Sequence, residues 1–224
     1  MEKLPENYPD RLEPVILSSN LEISPGVHLI SWERKVDFLP GQVLKIAVNF
    51  KEPPRIYSIC SGNTEPEISV LFNVKAEGSL TPVMAGLRPG DHLLVSKPYG
   101  SYTGDNQPAW WIATGTGIAP FYSMFKSGLG SNKTLIHGVR FLNQFYFERE
   151  FEFAIGKQYF RCGSQQSSRG IFPGRVTDFL HAAGAIPPHI KYYLCGNGLM
   201  VVEVRDFLIK KGIPVNQIIS EIYF

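Results

Sequence analysis

The first hundred residues carry short apolar runs that turn residues interrupt at close intervals. PVILSSNLEI (14–23), GVHLISWERK (26–35), QVLKIAVNF (42–50), RIYSIC (55–60), EISVLFNV (67–74) and DHLLVSKP (91–98) are rich in β-branched and aromatic positions. Ser-Pro-Gly (24–26), Leu-Pro-Gly (39–41), Glu-Pro-Pro (52–54) and Ser-Gly-Asn (61–63) separate them, and such punctuation ends strands. Only TPVMAGL (81–87) reads as a helix. Six short strands with frequent Gly and Pro predict a small antiparallel β-barrel.

After Gly104-Asp105-Asn106-Gln107-Pro108 the period changes. Apolar strand patterns at 109–113, 134–140, 158–163, 191–197 and 217–224 now alternate with helical patterns at 119–129, 143–156, 174–184 and 198–212. Strand–helix alternation of this kind predicts an α/β doubly wound parallel sheet. The sequence therefore divides into an N-terminal barrel domain, 1–106, and a C-terminal α/β domain, 107–224.

Composition narrows the chemistry. The chain has 224 residues, 44% hydrophobic and 19% charged, as in an ordinary globular protein. No apolar run approaches the roughly 20 residues that span a bilayer. The acidic, Pro-containing start MEKLPENYPDRLEP has neither a signal nor a transit-peptide pattern, so the expectation is a cytoplasmic protein without a membrane partner. Cys60, Cys162 and Cys195 are scattered without CxxC spacing, which argues against a disulfide framework, a zinc site or an iron–sulfur cluster in this chain. Residues 1–107 hold 10 Lys/Arg against 13 Asp/Glu, and residues 108–224 hold 12 against 7. The second half is the better host for phosphates or an acidic partner. The basic residues are too dispersed for a nucleic-acid reader.

Two glycine turns stand where strands of the second half meet helices. In Thr114-Gly115-Thr116-Gly117, the glycines let backbone N–H groups approach a pyrophosphate at a helix N-terminus. Cys195-Gly196-Asn197-Gly198 repeats the arrangement after a later strand. Each alone reads equally as a tight turn, and Cys195 alone as a small buried apolar residue. Together on one rim they point to a dinucleotide. Arg140, Arg161, Arg169 and Arg175 are the cations within reach of a 2′-phosphate. In the first half, Arg55-Ile56-Tyr57-Ser58 puts Arg55 and Tyr57 on one strand face and Ser58 on the other. Gly78-Ser79-Leu80-Thr81 offers N–H groups and hydroxyls at a helix start.

The collinear order RxYS, GxxT, Pro-Gly-Asp (89–91), GTGIAP, GVR, LCGN and C-terminal EIYF resembles the ferredoxin–NADP reductase family, from about residue 15 to Phe224. It is most similar to the compact bacterial ferredoxin/flavodoxin–NADP reductases. That resemblance implies an FAD-binding barrel and an NADP-binding α/β domain whose C-terminal tail returns to the flavin. Arg55 would pair with the FAD pyrophosphate, Tyr57 would stack on the flavin, and Ser58 would hydrogen-bond near flavin N5. Gly78, Ser79 and Thr81 would close over the FAD phosphates. Gly115, Thr116 and Gly117 would hold the NADPH pyrophosphate, Arg140 and Arg169 its 2′-phosphate. Cys195 and Gly196 would aim the nicotinamide. Glu221 would relay a proton or stabilise flavin intermediates, Tyr223 would cover the flavin, and Phe224 would stack toward the adenosine.

The resemblance implies hydride exchange between NADPH and FAD, and single-electron exchange with ferredoxin or flavodoxin, by a monomer. One position departs from the family pattern: the bacterial branch commonly has Ser-Arg after the third strand of the second domain, and here the pair is Ser164-Gln165. A neutral amide does not replace a guanidinium fork, so tolerance of NADH is an added expectation. Two other readings share these motifs. One is an NAD(P)H–flavin or cytochrome b5-type reductase; the other is a flavin-binding electron-transfer subunit that needs a partner for turnover.

Overall fold

A computed structural model of the chain describes residues 11–223. It divides into two units, Met1–Thr103 and Gly104–Phe224.

In the first unit six strands, β1 (Glu13–Ser24), β2 (Val27–Glu33), β3 (Val43–Ala47), β4 (Arg55–Ser58), β5 (Glu67–Asn73) and β6 (His92–Val95), form one antiparallel sheet in the order β4-β3-β6-β1-β2-β5. The two edge strands meet beyond the end of β4. Ile59 bridges Val70, and the Cys60 N–H donates to the Ser69 carbonyl at 2.8 Å. The sheet thus curls round on itself, as the strand lengths and turn spacing predict. Ile68, Val70 and Phe72 recur at the strand period in β5, and all three enter a core with Leu17, Ile30, Trp32, Leu44, Ile46 and Leu93. Helix α1 (Thr81–Gly86) adds the buried Met84 to that core.

In the second unit β7 (Ala109–Thr114), β8 (Lys133–Val139), β9 (Tyr159–Gly163), β10 (Phe172–Pro173), β11 (Lys191–Asn197) and β12 (Ile218–Tyr223) are all parallel, in the order β10-β9-β8-β7-β11-β12. Helices α2 (Ala119–Met124), α3 (Glu148–Ile155), α4 (Val176–Ala182) and α5 (Gly198–Lys210) connect them. Alternation again sorts the side chains: Ile112, Ile136, Cys162 and Leu194 pack with Val176 and Leu180 of α4 and Val201, Val204 and Leu208 of α5. On the opposite face Trp111 stacks on Phe121 of α2, and Tyr159 meets Phe151 of α3. The chain starts at β7 in the middle of the sheet, winds outward through β8 and β9, and returns to β11 on the other side of β7. The strand order therefore reverses between β7 and β11, the place where such sheets bind ligands.

Three elements differ from the sequence pattern. The helix predicted over 143–156 begins only at Glu148: the Gln144 side chain accepts from the backbone N–H groups of Arg140 (3.2 Å) and Phe141 (3.1 Å) in a short turn over Leu142–Gln144, and Phe147, at a left-handed φ of 59°, separates that turn from the helix. The helix predicted over 119–129 is α-helical to Met124 and ends in a wider π-type turn through Leu129. The two-residue β10 has no pattern of its own; it is held by pairing with Cys162 and Gly163.

Lys133, at the start of β8, is almost fully buried. Its Nζ donates to the carbonyls of Gln107 (2.8 Å) and Ser131 (3.1 Å) and lies 5.6 Å from the Trp111 ring centroid. Burial lowers its pKa, although the Asp105 carboxylate favours the charged form. Truncation in Lys133→Ala strips two carbonyls of their donor, and a loss of about 2 kcal/mol in unfolding free energy is expected by denaturant titration.

Candidate functional site

The two glycine turns of the second unit end β7 and β11, so they flank the point where strand order reverses. They interlock. A Cβ on Gly117 would stand 2.5 Å from the Cα of Gly196 and closer still to the Cys195 carbonyl oxygen. A Cβ on Gly196, at φ +132°, would stand 2.6 Å from the Thr114 carbonyl oxygen and would also clash with the Thr114 hydroxyl. Only hydrogen fits at either position. The Asn197 N–H donates to Thr114 Oγ1 at 3.1 Å, joining one turn to the other. Asn197 also caps α5, its Oδ1 accepting from the N–H groups of Leu199 (3.0 Å) and Met200 (3.4 Å). Gly115, at φ +55°, has nothing within 4 Å of the place a Cβ would take, so the front of the first turn is open.

Parallel pairing aligns the other residues of this rim. Cys195 is registered with Ala113 on one side and Glu221 on the other, and Asn197 with Tyr223. Register partners in neighbouring strands project from the same face of a sheet, so Cys195 and Glu221 are neighbours. Cys195 is fully buried and Glu221 half-buried. Tyr223 ends β12, and Phe224 lies outside the described residues.

The loops after β8 and β9 lie side by side, with the Ser164 N–H donating to the Val139 carbonyl (2.9 Å) and the Gln165 N–H to that of Arg140 (3.1 Å). The exposed Arg140 and Gln165 are thereby adjacent, and Arg169 is exposed in the same loop. Arg161 is not available to a ligand: its guanidinium pairs with both Glu148 and Glu152 of α3 and lies over the Tyr159 ring. The exposed Arg175 starts α4, its N–H donating to Asp178 Oδ2 at 2.8 Å.

In the first unit Arg55 and Tyr57 sit on β4, opposite Ile46 and Leu44 of β3. Exposure falls along the strand instead of alternating: Arg55 and Ile56 are exposed, Tyr57 half-buried and Ser58 buried. Tyr57 meets Phe72 edge-on at 6.4 Å. Burial raises its phenol to about 12, with the nearby Arg55 charge pulling the other way, so the ring stays neutral. The Gly78–Thr81 segment is folded tightly: the Gly78 N–H donates to the Lys75 carbonyl (2.8 Å), and Thr81 Oγ1 accepts from the Lys75 N–H (2.8 Å). Gly78 and Ser79 are exposed, leading into α1. The structure thus places Arg55, Tyr57 and Ser58 on one strand and Gly78, Ser79 and Thr81 at the start of α1 in the first unit, and in the second joins the paired turns, with Glu221 and Tyr223 in register beside them on β12.

Sequence reasoning passed over Thr114 and Asn197, whose short polar side chains lie inside the glycine motifs and tie them together. It also passed over His137 of β8, fully buried, with Nδ1 3.2 Å from the Tyr159 hydroxyl and an edge-on contact with Phe145. Burial lowers its pKa to about 3, against a weaker opposing pull from the Gly115 backbone. The unfolded chain takes up this proton near pH 6.5 and the folded one only near 3, so acidification between those values favours unfolding. In His137→Asn the fall in stability over that window is expected to be shallower by as much as about 1.4 kcal/mol per pH unit, read from denaturation midpoints.

Residues 111–206 match the oxidoreductase NAD-binding domain family. That match lies wholly within the second unit, Gly104–Phe224. Over more of the chain, a ferredoxin–NADP reductase of Azotobacter vinelandii is 29% identical, covering 82% of this chain and 83% of its own length. The reductase component of propane 2-monooxygenase from Mycolicibacterium goodii is 28% identical over 82% of this chain, and the chain spans 58% of that protein. Among solved structures, a ferredoxin–NADP⁺ reductase of Neisseria gonorrhoeae with bound FAD and NADP superposes with a TM-score of 0.84 at 20% identity, over 95% of this chain and 99% of its own. In sequence and in fold the chain is similar to these ferredoxin–NADP reductases. Among the described residues no helix is long and apolar enough to cross a membrane.

Proposed function

We propose that the chain is an FAD-dependent oxidoreductase that exchanges hydride with NADPH and single electrons with ferredoxin or flavodoxin. Residues 1–106 hold the flavin in this reading and 107–224 the nicotinamide dinucleotide. The observation that carries it is the interlocked pair of glycine turns at the reversal point of the parallel sheet. A close approach of two backbones, open in front of Gly115, suits a pyrophosphate that must lie against N–H groups. The first unit fits a flavin nucleotide as well. Its exposed guanidinium stands near a neutral aromatic, and its folded Gly78–Thr81 loop leaves the Thr81 hydroxyl proton to donate.

When bound, FAD supplies the step from two-electron hydride chemistry to one-electron chemistry. The protein residues hold and orient. Arg55 neutralises the FAD pyrophosphate, and Gly78, Ser79 and Thr81 close on its phosphates. Tyr57 packs against the flavin ring, and the Ser58 hydroxyl hydrogen-bonds near N5. Gly115, Thr116 and Gly117 bind the NADPH pyrophosphate, and Arg140 and Arg169 its 2′-phosphate. Cys195 and Gly196 position the nicotinamide, and Glu221 beside them relays a proton or stabilises flavin intermediates. In this reading Tyr223 would cover the flavin and give way to nicotinamide, and Phe224 would stack toward the adenosine. Tyr223→Ser is therefore expected to strengthen NADP⁺ binding about tenfold or more by fluorescence titration, as a competing ring is removed. Unchanged affinity contradicts that role.

Electron acceptors distinguish the reading from its relatives. Steady-state turnover with NADPH is expected to be fastest with ferredoxin or flavodoxin, and the excess of Lys and Arg in 108–224 suits an acidic carrier. Faster turnover with free flavin or a b-type cytochrome assigns the chain to one of those reductase types instead.

A further inference from the structure

Helix α1 has only six residues, no side-chain cap at its N-terminus and an extended residue, Leu87, at its C-terminus. A helix so short does not hold itself together in water. Its C-terminal end is instead bound by a side chain more than sixty residues earlier in the chain. Asn20 Nδ2, on β1, donates to the carbonyls of Met84 (3.1 Å), Ala85 (3.2 Å) and Leu87 (2.8 Å). A helix end leaves its last carbonyls short of intrahelical donors, and among the described residues only Met84 of these three also accepts from a backbone N–H, that of Leu87 at 3.3 Å.

Asn20 is itself oriented. Its Oδ1 lies 2.8 Å from Nδ1 of His28 on the neighbouring strand β2. Because the Asn20 amide nitrogen is turned to the helix, its oxygen faces the imidazole, and His28 Nδ1 must carry the hydrogen. The His28 ring stacks on Phe72 of β5 at 5.5 Å and 16°, and Phe72 meets Tyr57 edge-on. One connected path therefore runs from the helix that begins with Thr81, through Asn20, His28 and Phe72, to the aromatic of β4.

We infer that Asn20 and His28 are positioning residues which fix α1, and with it the Gly78–Thr81 loop, in the geometry that grips the phosphates of FAD. Neither touches the cofactor in this account. The inference rests on the reading of Gly78, Ser79 and Thr81 as an FAD phosphate site, and it assigns the determinant of that site to the opposite end of the helix.

Two substitutions separate orientation from packing. Asn20→Asp keeps the acceptor for His28 but sets a carboxylate against three carbonyl oxygens. His28→Phe keeps the stack on Phe72 but removes the donor to Asn20. Riboflavin carries the ring without phosphates, so comparing it with FAD isolates the phosphate end. The test is flavin-fluorescence titration of wild-type and variant apoproteins with FAD and with riboflavin, beside NADP⁺ titration and apoprotein melting.

The expected result is FAD affinity weakened about tenfold or more in Asn20→Asp and by a smaller factor in His28→Phe, as befits loss of hydrogen bonds at a distance. Riboflavin and NADP⁺ affinities and the apoprotein melting temperature should stay near wild type. Wild-type FAD affinity in a folded Asn20→Asp or His28→Phe protein overturns the inference, and so does an equal loss for FAD and riboflavin. Failure of Asn20→Asp to fold leaves His28→Phe to decide by the same two criteria. If the wild-type protein itself does not bind FAD, the phosphate-site reading fails and the inference falls with it.

Discussion

Gly117→Ala is expected to abolish NADPH binding and to cost upwards of about 3 kcal/mol of stability, the range of a severe overpacking defect. The added methyl group would meet backbone on the neighbouring strand, the Cys195 carbonyl and the Gly196 Cα, and neither can rotate away as a side chain could. Relief requires β7 and β11 to separate at their C-terminal ends, where the two turns join through the Asn197 N–H and the Thr114 hydroxyl. Chemical denaturation of the variant, with NADP⁺ titration of whatever fraction stays folded, measures both effects. Gly115→Ala is the informative companion. Its Cβ meets open space, so its penalty is the conformational cost of a φ of +55° alone, about 1 kcal/mol. A Gly117→Ala protein as stable as Gly115→Ala would mean that the turns are not wedged together as described.

Arg55→Ala is expected to weaken FAD binding by about 2–3 kcal/mol, or 30- to 100-fold, with little effect on folding. Arg55 is exposed on β4, and no carboxylate partner competes for it among the described residues, so its loss leaves no buried charge behind. Tyr57 responds to its charge, which places the guanidinium close to the aromatic proposed to pack on the ring. Equilibrium dialysis or fluorescence titration with FAD gives the loss, and Arg55→Lys indicates its character. A bidentate grip on a pyrophosphate is lost in Lys, whereas simple charge attraction is kept. FAD affinity unchanged in Arg55→Ala removes Arg55 from the site.

The two architectures were legible because each rests on a local period. Ile68, Val70 and Phe72 alternate as a half-buried strand must, and 109–113 leads through glycines into helix as a strand in a parallel sheet does. The glycine turns were legible as motifs because only glycine allows such backbone approach, yet their wedging against each other is a consequence of strand order that no local window contains. Helix α3 is shorter than its amphipathic pattern because the left-handed Phe147 separates it from the turn at Leu142–Gln144. Arg161 was among the cations that could grip a 2′-phosphate, but Glu148 and Glu152 on α3 take up its guanidinium, a pairing that no local window contains. Asn20 and His28 were silent for the same reason. An asparagine and a histidine eight residues apart on two strands carry no motif, and their meaning appears only where α1 folds back against them.

The central claim is that this polypeptide holds a flavin which NADPH reduces. Purified protein, reconstituted with FAD and freed of excess by gel filtration, should keep the flavin near one equivalent. Under anaerobic conditions NADPH should then bleach its visible absorbance, and NADH should do so too, because the neutral Gln165 beside Arg140 weakens selection for the 2′-phosphate. Folded protein that emerges colourless contradicts the account at its root. Protein that stays yellow in excess NADPH contradicts the proposed hydride exchange and favours a subunit that needs a partner for turnover.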